Sequence, residues 1–251
     1  MIESQFQGQT VIHRLDPRVK FLTALIFSVV VAVQSRFTPL LWGAVLPVVV
    51  LILARLNPLK VARRLAPVNG FILMLWLILP LSYSGHPIYR FGPLTITEEG
   101  IRETLLITVK SNLIVLAVIG LLSTSAVFDL VYALQSLRLP NKLVQLFFFS
   151  YRYIPVLYSE YERLHNAMKM RGFRAGTNLH TYRSYAYLVG MLLLRSYERS
   201  QRVYQAMLMR GFDGRFRTIR ELRMKRSDAL AAAAATAHLV GVGYLIWMGS
   251  F

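Results

Sequence analysis

The feature that most constrains this fold is a set of long uncharged runs inside an otherwise basic chain. Residues 37–54, "FTPLLWGAVLPVVVLILA", carry no charge. Neither do the 25 residues between Arg64 and Arg90, nor residues 111–128, nor residues 229–251. A helix needs roughly 20 mostly apolar residues to cross a bilayer, and each run supplies about that many. A fifth run, "FLTALIFSVVVAVQS" at 21–35, is shorter, and Lys20 and Arg36 at its borders are placed to snorkel outward and extend it. The pattern predicts an all-α integral membrane protein with about five transmembrane helices, four within residues 1–128 and the last within 228–251. Residues 1–20 include Glu3 and Asp16 and have no apolar core, so the first run is expected to be retained rather than cleaved as a signal peptide.

The basic character sets an orientation. The 29 Lys and Arg residues outnumber 12 Asp and Glu, giving a formal net charge of +17. Nucleic-acid binding is the competing reading of such a charge, but hydrophobic residues make up 55% of the chain, and the apolar runs need lipid. With the N-terminus in the cytoplasm, every Lys and Arg falls inside except Arg36, Arg90, Arg102 and Lys110. That is the bias expected of cytoplasmic segments. It places the C-terminus outside. The absence of cysteine excludes disulfides, Fe–S clusters and Cys-based zinc sites.

Residues 129–227 are too polar to lie wholly within a membrane and too apolar for a solvated loop. "LVQLFFFSY" at 143–151 runs straight into Arg152, and the 11 uncharged residues at 184–194 are too few to span. Helices at the membrane surface or beneath the bundle suit such runs. Pro140, Pro155 and the Gly172–Gly176 region are expected to divide the segment into several helices, forming a cytoplasmic platform.

Within that platform the chain repeats itself. "AMKMRGF" occupies 167–173 and "AMLMRGF" occupies 206–212, and six of the seven letters agree. Helix formers precede each Arg, and Gly172 and Gly211 stand where a helix ends in a left-handed cap. Arg171 and Arg210 then fall at the negative end of the helix dipole. Capping explains Arg and Gly, but it does not demand Met at 168, 170, 207 and 209. Methionine is a soft, adaptable contact residue. Two similar plugs imply two similar sockets, as on a symmetric dimer.

Other candidates are weaker. His13, His86, His165, His180 and His238 include no pair at metal-ligand spacing, and no HExxH or GxxxxGK[ST] occurs. His238 lies inside the last run and is expected to bond a neighbouring helix. Glu98, Glu99 and Glu103 read as the start of a helix, with Thr97 or Thr95 as cap. No residue is expected to hold a metal or cofactor.

Together, the two Arg-Gly helix ends, the basic helices and "HRLDPRVKF" at 13–21 resemble the transmembrane T component of energy-coupling factor (ECF) transporters, and within that family the cobalt/nickel, CbiQ-like group. The resemblance covers nearly the whole chain, and residues 137–173 carry most of its specificity. It implies a non-catalytic scaffold in a bacterial or archaeal cytoplasmic membrane, coupling two cytoplasmic ABC-type ATPase subunits to a separate substrate-binding membrane subunit. It also implies that Arg171 and Arg210 dock the ATPases, flanked by Ala167, Met168, Met170 and Gly172 and by Ala206, Met207, Met209 and Gly211. The commonest form of the motif has Ala before the Arg. Met170 and Met209 stand there instead and imply wider or more apolar grooves on the ATPase, and the likeness of the heptads implies a homodimer.

Two other classes remain open on the residues alone. A substrate-carrying permease would need polar groups inside its spans, and apart from His238 and a few Ser, Thr, Asn and Gln these are scarce. An integral membrane enzyme would need clustered acids, histidines or a nucleophile near one face, and the acids here are scattered or sit at helix starts.

Overall fold

The computed structural model describes residues 10–83, 86–91, 94–137, 139–214 and 224–248. The N-terminal stretch carrying Glu3 and the basic stretch at 215–223 lie outside the described residues. The elements are α1 (Val11–Arg14), α2 (Pro17–Val33), α3 (Phe37–Ala54), α4 (Pro58–Ser82), β1 (Pro87–Phe91), β2 (Leu94–Thr97), α5 (Glu98–Leu122), α6 (Val127–Ser136), α7 (Asn141–Met170), α8 (Leu179–Met209) and α9 (Arg226–Met248). They form two compact units, residues 1–133 with 221–251, and residues 134–220.

In the first unit, short polar signals start the helices. Asp16 and Asn57 each precede a proline, and each side chain accepts from the backbone N–H two residues on, Arg18 for α2 and Leu59 for α4. The proline supplies a pre-set φ where no N–H is needed. Thr97 caps α5 by accepting from the Gly100 N–H at 3.3 Å, while the Glu99 carboxylate accepts from the His86 N–H at 2.8 Å. The acidic cluster at 98–103 thus serves a helix start. The antiparallel hairpin β1–β2 just before it is not anticipated by the sequence reading.

α5 packs against α2, α3 and α4, and α9 packs on α2 and α3. Phe27, Leu40, Leu106 and Ala117 are fully buried in the core they share. Gly120 permits one close approach, because a Cβ there would lie 2.7 Å from Val50 Cγ1. The opposite faces stay apolar, with Leu41, Trp42, Ile52, Phe71, Leu73 and Leu77 all exposed. A soluble protein does not expose so much apolar surface; a lipid-facing bundle must. Among the described residues, four helices, α3, α4, α5 and the Arg226–Leu245 part of α9, are long and apolar enough to cross a membrane.

Several sequence expectations need correction, beginning at α2, the fifth expected span, a helix of 17 residues at the lower limit of the roughly 17–25 that cross a bilayer. Lys20 at its start does not snorkel outward. It is 1% exposed, and its Nζ donates to the Thr124 carbonyl at 3.2 Å and the Ser125 hydroxyl at 2.9 Å. Burial is tolerable because the ammonium has partners and because Asp16, Asp129 and Asp228 attract it. α5 begins at Glu98, so Arg102 and Lys110 lie within the helix rather than in an outer loop. Lys110 Nζ donates to the Ala32 carbonyl at 3.3 Å, in the last turn of α2, where carbonyls lack helical partners. His238 makes no bond to a neighbouring helix: its Nε2 has no partner among the described residues, and its ring lies 6.3 Å from that of Trp42.

In the second unit, α7 and α8 have 30 and 31 residues. Pro140 precedes α7 as expected, but Pro155 lies within it and does not divide it. One missing N–H is bridged by the helical ladder on either side. α8 starts on Asn178, whose side chain accepts from the Thr181 N–H at 2.9 Å.

Candidate functional site: two matched helix tips

The two heptads form the same structure. α7 ends at Met170 and α8 at Met209, with Arg171 and Arg210 as the residues immediately following. Their backbones are nearly superimposable, at φ −85°, ψ 14° and φ −94°, ψ 12°. Gly172 and Gly211 then take positive φ, 80° and 76°, a region that side chains other than glycine enter at a cost. The Phe173 N–H donates to the Met168 carbonyl at 3.1 Å and the Gly172 N–H to the Lys169 carbonyl at 3.0 Å. In the second copy the Phe212 N–H donates to Met207 at 3.0 Å and the Gly211 N–H to Leu208 at 2.9 Å. Each pair is a complete Schellman cap, which seals the last carbonyls and stops the helix abruptly.

The cap sorts the methionines. Met168 and Met207 stand at the position that packs under the residue after the glycine. Both are half-buried, as are Phe173 and Phe212. Met170 and Met209 are 90% and 89% exposed. Ala167, Ala206, Arg171 and Arg210 are exposed too. Each tip therefore offers one guanidinium and one bare methionine, with a second, half-buried methionine at the cap position one turn back. Arg provides a planar fork of donors suited to carboxylates, and the adjacent thioether supplies adaptable apolar contact.

The tips are not braced alike. Behind Arg171, Phe173 meets Tyr185 edge-on at 5.5 Å, and His165 stacks on Tyr161 at 5.5 Å and on Tyr185 at 6.4 Å. A cleft of about 610 Å³ opens beside this tip, lined by Met168, Phe173, His180, Met191 and Arg195 as well as Arg171. At the second tip, Gln145 Nε2 donates to the Gly214 carbonyl at 2.5 Å and ties the turn back to the start of α7. Sequence reasoning found both heptads but missed this aromatic bracket, because its rings are drawn from separate helices with no local period.

The contacts Glu160–Arg195, His165–Tyr185 and Phe173–His180 set α7 and α8 antiparallel. Arg171 shares its cleft with His180 at the start of α8, whereas Arg210 closes the far end. Thirty residues of helix rise about 45 Å, so the two tips are about that far apart along α8. Among the described residues, no group of three His, Asp or Glu stands close enough to hold a metal ion.

Comparison with known proteins agrees with this architecture. The family model described as CbiQ, cobalt transport protein, matches residues 8–221. The chain is 30% identical over 252 residues to the energy-coupling factor transporter transmembrane protein EcfT of Thermosediminibacter oceani, covering 95% of this chain and 94% of that protein. It is 30% identical over 239 residues to EcfT of Heliobacterium modesticaldum, covering 90% and 89%. It is also 27% identical over 180 residues to a putative ABC transporter ATP-binding protein of Bifidobacterium longum, covering 68% of this chain and 23% of that protein. A lipid-facing helical bundle, a doubled Arg-Gly helix tip and matches over nearly the full length identify the chain as a member of the CbiQ family, the transmembrane component of energy-coupling factor transporters.

Proposed function

We propose that this component is a scaffold: residues 129–227 face the cytoplasm, and Arg171 and Arg210 each enter a groove on one of two ATPase subunits. The observation that carries this reading is the identity of the two tips in backbone, cap and exposure. Two equal plugs fit two equal sockets, so the ATPase is a homodimer. Closing of that dimer on ATP would shift the sockets, and stiff α7 and α8 would carry the shift toward the membrane. A separate membrane subunit binds the substrate; the description of the matching family supports cobalt, with nickel as the chemically adjacent choice. With α2 as a fifth span, the N-terminus is cytoplasmic and the C-terminus external, because Arg36 and Arg90 remain the only basic residues left in outer connections once Arg102 and Lys110 are assigned to α5.

The test is charge reversal in the assembled transporter. Breaking a desolvated charge pair from one side costs on the order of 2–5 kcal/mol. Arg171→Glu or Arg210→Glu alone is expected to weaken ATPase recovery while one arm stays attached, and the double change to remove most of it and to abolish transport. Undiminished ATPase recovery with the folded double variant would refute docking through these arginines.

A further inference from the structure

A second site, unrelated to the helix tips, lies in the membrane unit. A cleft of about 360 Å³ opens where the end of α3, the start of α4 and the end of α5 converge. Arg55, Lys60 and Arg64 line it, with His13, Asn57 and Ser123 between them. None of the described residues that line it is acidic. Like charges gathered in a concave site raise the local potential and concentrate anions there.

Two of its polar side chains are held in place. Arg64 Nη1 donates to the Ser123 hydroxyl at 2.5 Å. His13 is fixed through its 2.6 Å hydrogen bond with Thr10, and burial, with the nearby charge of Lys20, biases its ring toward the neutral form. Arg55 is the more telling residue. It closes α3 with φ 50° and ψ 41°, and among the described residues it is the only non-glycine with positive φ. Glycine would make this helix stop with less strain. Arginine here puts a charge beside the cleft at the expense of backbone comfort, a pattern that marks functional positions.

Location identifies the anion. All three helices that meet here are long and apolar enough to cross the membrane, so their converging ends lie at its boundary with water. Basic pockets between transmembrane helices at that depth suit anionic lipid headgroups. We propose that this cleft binds the phosphate headgroup of an anionic phospholipid, with Arg55, Lys60 and Arg64 as its ligands. The assignment to the cytoplasmic leaflet rests on the orientation proposed above; binding itself does not.

The purified full-length chain, mixed in detergent with equal amounts of phosphatidylglycerol and phosphatidylcholine, can be weighed with its retained lipid by native mass spectrometry, which is indifferent to orientation and needs no ATPase. Wild type is expected to retain phosphatidylglycerol preferentially. Arg55→Gly and Lys60→Gln should each cut that preference roughly fivefold. Arg55→Gly also relieves the positive φ, so its thermal unfolding should not fall, which separates loss of the site from loss of the fold. Arg63→Gln and Arg226→Gln remove the same charge outside the cleft and should leave the preference intact. Inorganic phosphate at the headgroup concentration should not displace the lipid. The proposal is overturned if wild type shows no preference, if the control variants lose as much as the cleft variants, or if inorganic phosphate displaces the lipid, which would assign the site to a soluble anion.

Discussion

Glu160 of α7 accepts a hydrogen bond from the Arg195 guanidinium of α8, joining the two longest helices across 35 residues of sequence. Arg163 adds a longer contact at 3.6 Å. The Arg195 hydrogen bond, followed by the charges of Arg195, Arg163 and Arg199, outweighs the opposing effect of burial and holds the Glu160 carboxyl below its ordinary value of 4.5. The folded state therefore favours the ionised form. Its stabilising contribution is fully present above pH 4.5 and is lost as pH falls through the lower, folded value. Glu160→Gln should loosen the α7–α8 pair at pH 7, and the difference from wild type should shrink in more acidic buffer. Hydrogen exchange of both helices at the two pH values checks this; a difference that grows on acidification contradicts it.

The two kinds of methionine should separate by assay. Met168→Ala and Met207→Ala remove the side chain beneath the cap, and partial burial suggests a loss of about 1–2 kcal/mol in local stability. Met170→Ala and Met209→Ala remove side chains that are 90% and 89% exposed and should leave unfolding unchanged. On the docking proposal, the second pair weakens ATPase recovery from a fully folded chain. Thermal unfolding and pull-down on the same four variants check the split.

Lys20→Met keeps the length of the side chain and removes its charge. The Thr124 carbonyl and Ser125 hydroxyl lose their donor, and the nearby carboxylates lose a buried counter-charge. Removing one member of a buried charged set costs about 3–5 kcal/mol. Unfolding in detergent should show a large fall in midpoint, whereas Arg36→Met, at an exposed position, should show little.

Gly120→Ala would force a methyl group to within 2.7 Å of Val50 Cγ1. Overpacking of this kind costs about 1–3 kcal/mol. Val50→Ala in the same chain should recover part of the loss, because it vacates the space; a double variant worse than the sum of the two would exclude this explanation.

What was legible in the sequence follows from range. The spans announce themselves through unbroken apolar runs, and Thr97 and both Arg-Gly pairs mark helix ends by chemistry confined to a few residues. Lys20 was misread because a Lys bordering an apolar run looks the same whether it reaches water or a hydroxyl 105 residues away. Lys110 was misread for the same reason, since charge alone suggested a boundary where α5 continues. Pro155 was given the meaning of a lone helix breaker, but 30 residues of helix absorb it. The Tyr161–His165–Tyr185–Phe173 bracket and the Arg55 cleft depend on chain segments brought together only by folding.

The polar side chains along α4 and α5 carry a consequence for how the chain enters its membrane. Asn112 Nδ2 donates to Asn69 Oδ1 at 3.0 Å, and Trp76 Nε1 to Thr108 Oγ1 at 3.0 Å. Lys110, midway along α5, reaches the end of α2. Delivered alone to lipid, α5 would carry a central lysine costing about 2.5–3.5 kcal/mol. Synthesis makes α2 and α4 first, so every partner that α5 needs already exists when it emerges. Insertion of α5 is therefore expected to be easier when α2 and α4 are still beside it as it enters the bilayer.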